Sequence, residues 1–174
     1  HGITQSTIMN HIPSAQPIEV YLGDLMKQAG LRVAVAESCT GGLISHRITN
    51  VPGSSGYFVG GIIAYEYSAK ERLLDVQRKT LDTYGAVSEQ TVLEMARGVC
   101  GVLGADLGVS VSGIAGPGGG TPEKPVGLTW IGLHTPHGEW ARRYVWQGDR
   151  LAVKEQSSEQ TLRIVVEYLE SIRG

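Results

Sequence analysis

The chain has 174 residues, enough for one domain with a buried core, and its 41% hydrophobic content is ordinary for a globular protein. Its 15 basic and 17 acidic residues leave a net charge of -2, which argues against a nucleic-acid-binding protein that relies on bulk positive charge. No apolar run reaches the ~18 residues that a membrane span needs, and two cysteines fit a reducing compartment. A soluble, cytoplasmic protein is therefore expected, with neither nucleic acid nor a membrane as its partner.

Residues 1–16 are polar and show no periodic apolar spacing, so they are expected to form a flexible N-terminal arm, while 17–174 form the folded domain. The chain begins at His1, and no basic stretch precedes an apolar one, so no targeting peptide is predicted. The sequence leaves open whether the natural protein has a separate N-terminal domain.

Apolar spacing predicts helices and strands that alternate along the chain. Helices are expected at 18–29, 43–49, 68–74, 89–102 and 151–172. Short apolar blocks predict strands at 31–36, 58–65, 107–112, 128–133 and 140–146. The last two strands alternate between apolar and polar residues and are joined by a short turn, which predicts a half-buried hairpin.

Two of the helices have apolar faces that are expected to lie in the core. In the helix after the N-cap residue Ser88, the inward residues are Val92, Met95, Ala96, Val99 and Val102. In the last helix they are Leu162, Val165, Val166 and Leu169. Strands that alternate with helices, together with one hairpin, predict an α/β fold: a three-layer α/β/α single domain with a mixed, mostly parallel sheet.

The first candidate site is the turn at 36–42, Ala-Glu-Ser-Cys-Thr-Gly-Gly, between a predicted buried strand and a helix. Ligand sites of open α/β sheets lie at the carboxyl ends of strands, and the N–H groups that begin a helix favour an anion or an oxyanion. Ser38 is therefore a candidate nucleophile, with the amides of Thr40 to Gly42 as oxyanion donors. A structural role, in which Ser38 or Thr40 only caps the helix, fits the same spacing.

A serine nucleophile needs an adjacent base. The five histidines fall in the arm, beside the hairpin turn and on the helix after the motif, and Gly-x-Ser-x-Gly is absent, which argues against an α/β-hydrolase triad. Lys70 follows the second strand, and a lysine buried there would lose its proton near neutral pH and act as the base. A solvated surface lysine is the simpler interpretation. Cys39 is the rival nucleophile, although a free cysteine is more often a small buried residue.

The second candidate site is the turn at 113–125, whose glycine density is too high for packing alone. No Gly-Lys-Ser/Thr follows, so it is not a Walker loop, but its amides could hold a phosphate, with Lys124 and Arg150 as counter-charges. A glycine-rich crossover without a ligand is the alternative. His134 and His137 form a short-spaced pair in a turn without a Cys or carboxylate cluster, so no metal is expected.

Four ordered motifs resemble the CinA C-terminal domain, the nicotinamide mononucleotide deamidase family. They are Ala-Glu-Ser-Cys-Thr-Gly-Gly-Leu-Ile (36–44), Pro-Gly-Ser-Ser (52–55), Gly-Gly-x-x-x-Tyr-x-x-x-x-Lys (60–70) and Gly-Ile-Ala-Gly-Pro-Gly-Gly-Gly-Thr-Pro-Glu-Lys-Pro-Val-Gly (113–127). The resemblance runs from about residue 18 to the end. It implies hydrolysis of the carboxamide of nicotinamide mononucleotide, in pyridine nucleotide recycling, by a serine–lysine pair without a cofactor.

Carried onto this chain, the resemblance implies Ser38 and Lys70 as the catalytic pair. The substrate-binding residues that it implies are Thr40, Gly41, Gly42, Tyr65, Gly113, Ala115, Gly116, Gly118, Gly119 and Arg150. The chain departs from the family pattern at Asp75, where glycine is common, and at Lys154, where arginine is common.

The expected partner is a small pyridine nucleotide, and a homo-oligomer, with a dimer as one form, is the expected assembly. Two other interpretations stay open. One is a non-catalytic nucleotide-binding module associated with competence or the DNA damage response. The other is an amidase that depends on Cys39.

Overall fold

The computed structural model describes residues 16–173, in which helices and strands alternate as the apolar spacing predicts. The helices are α1 (Ile18–Ala29), α2 (Leu43–Thr49), α3 (Tyr67–Leu74), α4 (Arg78–Tyr84), α5 (Glu89–Leu103) and α6 (Arg150–Ile172), with a 3-10 turn at Ser54–Gly56. The strands are β1 (Val33–Glu37), β2 (Phe58–Ile63), β3 (Leu107–Gly113), β4 (Leu128–Thr135) and β5 (Gly138–Val145). The predicted N-terminal arm lies, except for its last residue, outside the described residues.

The five strands form one sheet in the order β2-β1-β3-β4-β5. β1 runs parallel to both β2 and β3, whereas β4 pairs antiparallel with β3 and with β5. The mixed, mostly parallel sheet is thus confirmed. Since β1, β2 and β3 point the same way, their carboxyl ends meet at one edge of the sheet, where ligand sites of such folds lie.

Helices cover both faces of the sheet, which confirms the three-layer arrangement. Val33 and Val35 of β1 face the core shared with α1, α2 and α6, while Ala34 and Ala36 face the core shared with α3, α4 and α5. The alternation follows from the two-residue period of a strand. It also determines which layer each residue at the end of β1 faces.

The structure differs from the sequence-based expectations in three elements. α4 was not predicted, because Leu81 is its only buried residue and one apolar position creates no periodic signal. Val102 was expected in the core but is 60% exposed, because Leu103 continues the apolar stripe of α5. β4 was expected to be half-buried but is buried over most of its length, because it lies inside the sheet and contacts both α5 and α6.

The helix ends follow ordinary capping chemistry. Ser88 accepts a hydrogen bond from the N–H of Thr91, so the predicted N-cap of α5 is confirmed. Asp75 ends α3 in the left-handed conformation, with φ 55°, which explains why glycine suits this position. Among the described helices, none combines the length and the apolarity that crossing a membrane requires.

Candidate active site

The end of β1 directs two consecutive polar residues to opposite sides of the sheet. Ser38 extends the strand by one residue, because its N–H donates to the Val111 carbonyl of β3 at 3.1 Å. By the alternation of β1, Glu37 faces α2 and Ser38 faces α3. Both side chains are buried. The turn therefore places a carboxylate behind the site and a hydroxyl within it.

Lys70 of α3 meets Ser38 at this edge, as the sequence-based hypothesis required. Its Nζ lies 3.0 Å from Ser38 Oγ and 2.9 Å from the carbonyl oxygens of Ala64 and Tyr65, which follow β2. The side chain has no exposed surface, so the interpretation of Lys70 as a solvated surface residue is wrong.

The environment of Lys70 suits a neutral amine. Burial lowers the pKa of Lys70 from 10.5 to about 8, because desolvation disfavours the charged form. At pH 7 roughly one amine in ten is then neutral, against roughly one in 3,000 for an unperturbed lysine. A neutral amine has two N–H donors and one lone pair. The two carbonyls match the donors, and the Ser38 hydroxyl lies where it can donate to the lone pair.

Glu37 holds the turn that presents Ser38. Its two carboxylate oxygens accept hydrogen bonds from the Thr40 hydroxyl at 2.6 Å, the Gly42 N–H at 3.2 Å, the Ile44 N–H at 3.0 Å, and the Ser45 N–H and hydroxyl at 3.0 and 2.7 Å. The carboxylate thus pairs the first amides of α2, where negative charge is favoured. Sequence reasoning placed Glu37 in the motif but did not assign this role.

This pairing changes which amides can stabilise an oxyanion. The Gly42 N–H donates to Glu37, and the Gly41 N–H donates to the Ser38 carbonyl at 3.2 Å. Within residues 16–173 the N–H groups of Cys39 and Thr40 donate to no other residue. The amide directly after the nucleophile is also the one that nucleophile-elbow enzymes use as an oxyanion donor. The turn therefore offers Cys39 and Thr40 as donors rather than the two glycines.

The Cys39 thiol has the environment of a structural cysteine. It is 6% exposed, packs in the core with α1, α2 and α6, and lies on the face opposite Lys70. Burial raises the pKa of Cys39 to about 11, so the reactive thiolate is scarce at neutral pH. These observations argue against the Cys39-dependent amidase.

Arg150 connects the loops on either side of the Ser38–Lys70 pair. Its guanidinium donates to the Gly116 carbonyl at 2.7 Å and to the Tyr65 hydroxyl at 3.3 Å. Gly116 follows β3 and Tyr65 follows β2, whereas Ser38 follows β1, which lies between them in the sheet. Arg150, the first residue of α6, thus bridges these two loops across the carboxyl edge of the sheet.

The glycine-rich loop after β3 forms one wall of the site and is shaped by packing. A Cβ on Gly116 would lie 2.5 Å from Val126 Cγ1, because the loop wraps around the Val126 side chain. Lys124 donates to the Tyr84 carbonyl of α4 at 2.5 Å, so it anchors the loop instead of acting as a counter-charge beside Arg150. Gly118 and Gly119 are exposed, and Gly113 and Ala115 lie deeper in the wall.

Ser112 is a site residue that sequence reasoning did not identify. The pairing of Glu37 with Val111 places Ser112 beside Ser38 in the register of β1 and β3. Ser110 donates to the Val92 carbonyl of α5, so Ser112, two residues on, faces the same layer as Lys70. The signal in the sequence was a polar residue at the end of a predicted buried strand.

Together, the fold and this edge define an α/β domain with a buried serine–lysine pair beside the carboxyl end of β1. The sequence model of the CinA C-terminal domain matches residues 15–169. The chain belongs to the CinA C-terminal domain family.

Individual relatives have names that agree with this family. A CinA-like protein of Chloroherpeton thalassium is 48% identical over 157 residues, which cover 88% of this chain and 37% of that protein. A CinA-like protein of Desulfotalea psychrophila is 46% identical over 148 residues, 85% of this chain and 36% of that protein. The chain thus spans little more than a third of the length of these curated relatives.

Solved structures have the same fold. The competence/damage inducible protein CihA of Agrobacterium tumefaciens superposes with a TM-score of 0.83 at 36% identity, covering 89% of this chain and 96% of that one. The competence damage-inducible protein A of Klebsiella pneumoniae superposes with a TM-score of 0.86 at 29% identity, covering 90% and 97%.

Proposed function

We propose that this chain is an amidohydrolase that converts nicotinamide mononucleotide to nicotinic acid mononucleotide and ammonia through Ser38 and Lys70. The observation that carries the proposal is the position of Lys70 Nζ, 3.0 Å from Ser38 Oγ and fully buried. The substrate is inferred from the resemblance to the deamidase family.

In the proposed reaction, neutral Lys70 accepts the Ser38 proton while Oγ attacks the carboxamide carbon. The carbonyl oxygen becomes an oxyanion, and the amides of Cys39 and Thr40 stabilise it. The Lys70 ammonium then protonates the leaving nitrogen, the C–N bond breaks, and ammonia departs. Lys70, neutral again, takes a proton from a water that attacks the acyl-enzyme, and returns that proton to Ser38 as the carboxylate is released. The cationic pyridinium of the substrate activates its own carboxamide.

The phosphate is expected to matter for rate as well as affinity. Binding energy from a remote dianion can be used to orient the reacting amide. Nicotinamide riboside, which lacks the phosphate, is therefore expected to have a kcat/KM lower by at least ~10², from one or two charge-assisted contacts. Equal kcat/KM values for the two compounds would contradict a phosphate subsite.

The direct test follows ammonia release from nicotinamide mononucleotide, nicotinamide riboside, nicotinamide and NAD. Release from the mononucleotide above the other three is the expected result. A protein inert toward all four would overturn the proposed function and favour the non-catalytic nucleotide-binding module. The intact serine–lysine geometry is the observation that favours the enzyme.

A further inference from the structure

The helices α2 and α6 both have a carboxylate at their N-terminus. The Glu37 carboxylate accepts from the amides of Gly42, Ile44 and Ser45 at the start of α2. Asp149 caps α6 and accepts from the Ala152 N–H at 2.9 Å. These two helix starts already hold a carboxylate, so an anion bound between α2 and α6 needs other groups.

Arg150 is also engaged. Its two terminal nitrogens donate to the Gly116 carbonyl and the Tyr65 hydroxyl. These two contacts use two of the five N–H donors of the guanidinium and connect the two loops. Its geometry is that of a residue that positions Tyr65 and the glycine loop.

Lys154, one helical turn after Arg150, is the cation that stays available. Within residues 16–173 its ammonium forms no ion pair, and its Nζ lies 3.8 Å from the position of a Cβ on Gly41, beside the catalytic turn. Residues four apart on a helix share a face, so Lys154 and Arg150 point toward the same edge of the sheet.

A cleft of about 440 Å³ lies between the start of α2 and the start of α6. Its walls include Thr40, Gly41 and Gly42 of the catalytic turn, His46 of α2, and Leu151 and Lys154 of α6. Thr40, in its wall, lies two residues after Ser38 in the chain. Leu151 is 66% exposed and offers an apolar rim.

We infer that this cleft is the anion subsite of the enzyme, and that the phosphate of the substrate is bound by Lys154, which lines the cleft, rather than by Arg150, which does not line it. The inference rests on the proposed function for the identity of the nucleotide. His46 provides a second donor on the opposite wall. Glu155 also lines the cleft, and its negative charge opposes an anion there. The affinity of the cleft for an anion therefore depends on the balance between the charges of Lys154 and Glu155.

The first experiment compares kcat/KM for nicotinamide mononucleotide and nicotinamide riboside. Lys154→Ala is expected to lower the mononucleotide value ~10- to 100-fold with little change for the riboside, and Lys154→Arg to keep most of it. Glu155→Gln is expected to raise the mononucleotide value about twofold. Arg150→Ala is expected to lower both values by a similar factor. Lys79→Ala, an exposed lysine of α4, is the matched control.

The second experiment measures binding without turnover, by calorimetry with nicotinamide mononucleotide. The Kd of the Ser38→Ala protein is expected to rise ~10- to 100-fold when Lys154→Ala is added. A Kd that Lys154→Ala leaves unchanged would overturn the subsite. So would a difference in kcat/KM between mononucleotide and riboside that Arg150→Ala reduces and Lys154→Ala does not. A protein that releases no ammonia yet loses mononucleotide affinity through Lys154→Ala would reject the proposed function and support the subsite.

Discussion

The turns after β1 and β3 are both glycine-rich and lie side by side at the same edge of the sheet, yet their backbones are used differently. In the turn at 37–42, the Glu37 carboxylate pairs the amides that begin α2, and Ser38 is buried against Lys70. In the loop at 113–127, the glycines make room for Val126, and the outermost ones are exposed.

The comparison shows that dense glycines can also serve packing, here around the Val126 side chain. Under the proposed function, the chemistry belongs to the turn whose side chains are buried and held by the Glu37 carboxylate, because a preorganised site needs fixed positions. The loop with more glycines contributes a wall. If this distinction is correct, substitutions in the first turn affect the reaction, and substitutions in the second affect mainly folding.

The largest effect is expected for the nucleophile. Ser38→Ala should reduce kcat by at least ~10⁴, because the covalent step is lost while binding contacts remain. Mononucleotide affinity should stay within a few-fold, as measured by calorimetry. Cys39→Ala is the matched control and should keep most of the activity, since the thiol faces the other core. An inactive Cys39→Ala with an active Ser38→Ala would show that the nucleophile is the cysteine.

Next in size is the effect on the base. Lys70→Arg should lower kcat/KM by at least ~10³, because a guanidinium stays protonated. In the unmutated protein the active form is the neutral amine, so kcat/KM should rise with pH and level off above a pKa of about 8. Between pH 7 and pH 6 the rate should fall about tenfold. If kcat/KM did not change with pH across this range, or if the Lys70→Arg variant were active, Lys70 would not be the base.

Replacing Glu37 should affect both the stability of the protein and the rate of the reaction, which distinguishes the first turn from the second. Glu37→Ala leaves the first amides of α2 and the Thr40 hydroxyl without their acceptor, and should reduce the free energy of unfolding by roughly 3–5 kcal/mol. The turn should then hold Ser38 less firmly, so kcat should fall along with stability. Denaturant titration and ammonia release measure the two effects. Glu37→Ala with unchanged stability would mean that the turn keeps its shape without the carboxylate.

The smallest effect is expected in the second loop. Gly116→Ala combines a φ of 84° with a clash against Val126, and should reduce the free energy of unfolding by roughly 1–3 kcal/mol. Gly118→Ala meets nothing within 4 Å and should stay within about 0.5 kcal/mol of the parent. Chemical denaturation measures the free energy of unfolding of both variants. A Gly118→Ala protein with normal stability but weakened mononucleotide binding would make this loop a ligand contact.

Much of the fold was predictable because its signals are local. α1 has helical spacing and ends at Gly30, in the left-handed conformation with φ 66°, and β1 and β3 are short apolar runs of buried strands. α4 could not be found from its single buried residue, and β4 was misjudged because burial on both faces depends on the helices that cover it.

For the site, the sequence by itself determined that Ser38 ends a buried strand and that Lys70 follows the next one, since both positions can be read from apolar runs. Only the tertiary structure decided that the two side chains meet, because that depends on parallel pairing of β1 with β2 and on α3 packing over the same face. It also decided which amides and cations stay available. Glu37 and Asp149 occupy the starts of α2 and α6, and Arg150 contacts the Gly116 carbonyl, while Lys154 lies beside the turn that carries Ser38. Hydrogen-bond partners that are distant in the chain leave no periodic pattern in the sequence.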